Sequence, residues 1–148
     1  MTNPISVLRL GMVMFLLVYE SVIDIKKKEI SLLISLITAA FAIVLLIFSK
    51  DLKITSALVG LLEGLLLIGI SYVTKGQIGS GDGIILSVTG LLLGWKDNLT
   101  MFFFSCLICA LASVCLLIIK RADKKTKIAF VPFMVPGFLL TIVSTCLS

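Results

Sequence analysis

A chain of 148 residues that is 59% hydrophobic and 14% charged, with a mean hydropathy of +1.23, carries too much apolar surface for one small water-soluble core, because soluble domains run at about a quarter charged residues. The net charge is +5 with no histidine, and the basic residues are not interleaved with aromatics. Nucleic acid is thereby excluded as a partner, and the lipid bilayer is the expected surrounding.

Apolar runs fall at 5–23, 30–48, 54–73, 83–95, 99–119 and 128–147. They predict an all-α polytopic membrane protein, a bundle of about six transmembrane helices, since a lipid-exposed backbone must satisfy its own hydrogen bonds. The alternation of a transmembrane β-barrel is absent. Without tracts of low complexity or a repeat, residues 1–148 read as a single integral membrane domain.

The first run carries Arg9 and Glu20, lacks a small-residue cleavage pattern and is followed by lysines, so it reads as a span and not as a signal peptide. It ends at Asp24. Glu20 lies one turn earlier on the same helix face, placed either to hydrogen-bond a site there or to snorkel to the interface. In the third run Glu63 sits within Gly60-x-x-x-Gly64, a small-residue spacing that predicts a tight helix contact. Glu63 is a functional candidate because it is ionisable at membrane depth, or it pairs with a backbone group or with Arg9.

Before the fourth run comes Gly79-Ser80-Gly81-Asp82. Glycines there permit unusual backbone conformations or close approach, and they present Asp82 at a helix start, where backbone N–H groups are free. An aspartate at that position also serves as a helix cap. The glycines of the 74–83 connection predict a mobile loop. The fourth run is short, and Gly90-x-x-x-Gly94 marks a second packing seam. In the fifth, Cys106-x-x-Cys109 has no second pair and no histidine beside it, so these cysteines read as small packing residues and no metal site is expected.

Basic residues orient the bundle. Of 13 lysines and arginines, nine lie in the connections 24–29, 74–82 and 120–127. The opposite side holds Lys50, Lys53 and Lys96, with Arg9 inside the first span. The positive-inside rule puts the richer connections in the cytoplasm and both termini outside. Asp24 and Asp82 then share the cytoplasmic side, where two carboxyls can do acid/base chemistry on a peptide bond.

Three segments carry a family resemblance. They are Asp24-Ile25-Lys26-Lys27-Lys28-Glu29-Ile30-Ser31, the GxGD of Gly79-Ser80-Gly81-Asp82, and Ile128-Ala129-Phe130-Val131-Pro132-Phe133. In order and spacing the set resembles the type IV prepilin peptidases, membrane aspartyl proteases that cut leader peptides from prepilins and pseudopilins. The resemblance implies catalytic Asp24 and Asp82, positioned by Gly79 and Gly81; Glu20 and Glu63, read from their places in the spans, are the candidate supporting acids. It implies no metal or other cofactor. The implied substrate is prepilin-like, with a short basic leader cut from an apolar helix at the cytoplasmic face of the cell membrane. Ser31 departs from the family's usual proline, Ala129 and Val131 from the late segment, and Ile84 from a lysine that often follows GxGD. No paired Cys-x-x-Cys extension precedes the first run, so the compact peptidase form is expected, and whether it also methylates the new N-terminus stays open. Two other classes stay open: a presenilin-like intramembrane protease, which pairs GxGD with Tyr-Asp where this chain has Ile23-Asp24, and a small transporter or scaffold using its buried acids for ions or assembly.

Overall fold

The computed structural model describes residues 4–27, 29–49, 52–74, 79–119 and 129–147. These form six helices and no strand: α1 (Pro4–Lys27), α2 (Leu32–Phe48), α3 (Ile54–Val73), α4 (Ser80–Leu93), α5 (Trp95–Ile118) and α6 (Val131–Leu147). Three of them, α1, α3 and α5, are long and apolar enough to cross a membrane; the other three are shorter apolar helices.

Local chemistry explains the ends. Pro4 opens α1, where its missing N–H costs nothing, and Lys26 and Lys27 sit in the last turn, where the helix dipole favours cations. The α2–α3 connection is closed by the Leu52 N–H donating to Ser49 Oγ at 3.2 Å. Gly94 ends α4 and opens α5. Its φ of 82° and ψ of 168° lie in a region open essentially to glycine alone, and a Cβ there would lie 2.6 Å from Ser56 Oγ. One residue thus reverses the chain. In α6, Pro132 falls in the first turn, where proline is tolerated, while Pro136 lies inside the helix.

The predicted spans correspond one to one with these helices, with corrected boundaries. Asp24 does not end the first helix, which runs on to Lys27. The fourth helix starts at Ser80, so Asp82 lies in its first turn. The glycines before Asp82 are not there for an unusual conformation. Gly79 has φ −62° and ψ 119°, Gly81 is helical, and Gly94 is the positive-φ glycine among the described residues. Of the connection 74–83, expected to be a mobile loop, residues 80–83 are the first turn of α4, and residues 75–78 lie outside the described residues, as do Lys28, Lys50, Ile128 and the basic stretch 120–127.

Several polar groups are buried inside the bundle, while many large apolar side chains face outward. Glu20, Thr89, Asn98 and Ser105 are fully buried, whereas Phe15, Leu36, Leu66, Phe103 and Leu111 are exposed. That distribution suits lipid as the solvent. Helix α4 is the central element, with Ile85, Leu86, Leu91 and Leu92 buried beside Val13 and Leu17 of α1, Met101 of α5 and Phe138 of α6. Gly60-x-x-x-Gly64 forms the predicted seam: a Cβ on Gly60 would lie 2.6 Å from the Gly90 carbonyl oxygen, and one on Gly64 would run into Ser87. Backbone-to-backbone approach of this kind is open only to glycine. Gly137 does the same for α6 against Met101 and Ser105 of α5.

Candidate active site

The helix ends bring the three sequence segments together. Asp24, in the last turn of α1, is buried, and its Oδ2 accepts a hydrogen bond from the Val131 N–H at 3.1 Å. Val131 is the first residue of α6, so this N–H is one of the four that a helix start cannot satisfy internally. A carboxylate there also meets the positive end of the helix dipole. Pro132 and Phe133 follow directly, and Phe130 packs edge-on to Phe102 of α5 with ring centroids 6.0 Å apart.

Asp82 is half-buried in the first turn of α4 and lies within electrostatic range of Asp24. Cys106, midway along α5, is also within electrostatic range of Asp82. Space, not backbone torsion, accounts for the glycines. A Cβ on Gly79 would come 2.8 Å from Asp82 Oδ2, and a Cβ on Gly81 would come 3.0 Å from Ile30 Cγ2. Ile30, from the first segment, thus lies on the GxGD turn.

Glu20 and Glu63 occupy different places. Glu20 is fully buried and accepts hydrogen bonds from the Ser31 N–H at 2.8 Å and Ser35 Oγ at 3.4 Å. It does not snorkel. Glu63 is remote from this cluster in its bonding: its Oε2 accepts from Asn98 Nδ2 at 2.8 Å, and Asn98 Oδ1 accepts from Thr89 Oγ1 at 2.7 Å. Asn98 Nδ2 also reaches the Leu86 carbonyl at 3.2 Å. Arg9 is in electrostatic range of Asp97, which accepts a 3.4 Å bond from Thr145. Among the described residues no group of three or more His, Cys, Asp or Glu stands together as a metal site.

Sequence reasoning missed Val131, Ser35, Thr89 and Asn98. The proline at 132 carried a signal for the first, since it marks a helix start with free N–H groups. For the others, single polar residues within apolar runs were the only trace.

Comparison with known proteins adds the family. The model of the type IV leader peptidase family matches residues 11–114. The chain belongs to that family. It is also 34% identical over 86 residues to the prepilin leader peptidase/N-methyltransferase of Bacillus subtilis (strain 168), a stretch covering 57% of this chain and 35% of that protein. The match thus spans about a third of the relative's length. No solved structure matches the chain.

Proposed function

We propose that this member of the type IV leader peptidase family is an aspartyl endopeptidase that removes leader peptides from prepilin-like precursors at the cytoplasmic face of the cell membrane. The observation that carries the proposal is that Asp24 and Asp82, on helices far apart in sequence, lie within electrostatic range of each other, with Ile30 of the first segment packed on Gly81 next to Asp82. The late segment joins them through the Val131 N–H. Family membership and the likeness to a prepilin peptidase support the substrate class.

The chemistry follows from two neighbouring carboxyls. Both cannot be ionised without cost, so the pair shares a proton. The ionised member takes a proton from water as the water attacks the scissile carbonyl. The protonated member hydrogen-bonds the carbonyl oxygen, and a proton then passes to the leaving amine. The carboxyls supply both acid and base, so these steps involve no cofactor. A substrate with an apolar helix after its leader would dock that helix in the membrane beside the bundle and place the leader junction at the carboxyls. Co-expression with prepilin-like proteins of the same genome tests the function. The proposal expects a size shift to the mature form, and unchanged precursors across the whole set would contradict it.

A further inference from the structure

The proposed chemistry leaves one fully buried carboxylate unused. Glu20 lies on α1 one turn before Asp24, and the two are in electrostatic range. Its two oxygens are both occupied, by the Ser31 N–H at 2.8 Å and by Ser35 Oγ at 3.4 Å. Ser31 is the N-cap residue of α2, and its own side chain makes no capping bond. In a capping box, a glutamate of the same helix reaches back to the N-cap N–H. Here the carboxylate comes from the neighbouring helix. The start of α2 is capped in trans, from the turn of α1 that precedes Asp24.

That bond reaches the second aspartate through one residue. Ile30 immediately precedes Ser31, and its side chain lies against Gly81, where a Cβ would be 3.0 Å from Ile30 Cγ2. Gly81 adjoins Asp82. We propose that Glu20 is a positioning residue for the carboxyl pair: by holding the Ser31 N–H it fixes Ile30 against the GxGD turn and so sets Asp82 relative to Asp24. The bond depends on this chain's own residue at 31. A proline, usual there in the motif it resembles, has no N–H to give. The proposal rests on the pairing of Asp24 and Asp82 proposed above, so its test includes a readout that needs no turnover.

Nitroxide labels at Leu32 and Ser80, both exposed, would be placed in the full chain with its four cysteines replaced by serine. Their separation reports how α2 sits on α4, whatever the activity. A single narrow distance is expected for the parent and for Glu20→Gln, whose amide oxygen still accepts the Ser31 N–H. A broadened or shifted distribution is expected for Glu20→Ala and for Ile30→Ala. In cleavage assays normalised to folded protein, kcat of Glu20→Ala should fall about tenfold or more with KM little changed, because misplacement by about 1 Å can cost about 100-fold. Glu20→Gln should restore most of that loss. Ile30→Ala should lower kcat similarly, and the double variant should lose little more, as residues acting along one path are non-additive.

An unchanged Leu32–Ser80 distance in both alanine variants would overturn the proposal. So would additive losses. A Glu20→Gln protein as inactive as Glu20→Ala would instead make Glu20 a proton carrier. A parent chain that cleaves no prepilin-like substrate would contradict the protease function, while the distance measurements would still decide whether Glu20 positions α2.

Discussion

Asp24 and Asp82 are held by different means. Asp24 is 8% exposed and takes the first N–H of α6, whereas the Asp82 carboxylate occupies space that only a glycine at 79 leaves open. Replacing either aspartate by asparagine keeps size and polarity but removes the group that gives and takes a proton. Asp24→Asn and Asp82→Asn should each lower cleavage by about 100-fold or more, the scale of positioned acid/base catalysis, while the protein remains in the membrane at parental levels. Gly79→Ala separates activity from stability. Its methyl group would displace the end of a short side chain and no backbone, so cleavage should drop clearly while the unfolding midpoint in detergent hardly moves. Asp82 and its glycines were legible in the sequence, because GxGD is a side-chain pattern. The bonds from Val131 and Ser31 were not, since they are made by backbone N–H groups, which every residue but proline carries.

At the scale of elements, the α3–α4 pair is the rigid support of Asp82. Gly60 and Gly90 meet backbone to backbone, so a methyl group at either forces the helices apart. Gly60→Ala or Gly90→Ala should destabilise the protein by about 1–3 kcal/mol, the usual cost of overpacking, read by thermal or denaturant unfolding in detergent. Across the same helices, Asn98 links Glu63, Thr89 and the Leu86 carbonyl. Asn98→Ala leaves these buried or part-buried groups short of a partner and should cost about 1–3 kcal/mol. Glu63→Gln retains an acceptor for Asn98 and should cost less and leave most of the cleavage activity, as befits a residue bonded away from the carboxyl pair. The seam was legible from Gly60-x-x-x-Gly64, whereas Gly90-x-x-x-Gly94 was half misread: Gly90 packs, but Gly94 turns the chain. The start of the fourth helix was also misplaced, at 83 and not 80, because two glycines look like a loop when nothing shows that Ile30 and the Asp82 carboxylate need the space.

For the whole molecule, the large apolar outer surface was legible from composition alone, but which acids would come near each other was not. That depended on antiparallel packing, which brings the end of α1 to the starts of α4 and α6. The proposed orientation has the lysine-rich connections in the cytoplasm. Cysteines introduced between 120 and 127 should be labelled by a membrane-impermeant reagent only once it has access to the cytoplasm. Labelling from outside would remove the cytoplasmic site from the proposal. The central claim is that Asp24 and Asp82 together cut a leader peptide. It is tested most directly by incubating the purified chain, its Asp24→Asn and its Asp82→Asn variants with a purified prepilin-like precursor in detergent, then sequencing the N-terminus of the product. The expected result is cleavage at the junction of basic leader and apolar helix by the parent, and none by either variant. Parental cleavage by one of the two variants would contradict the paired-aspartate account.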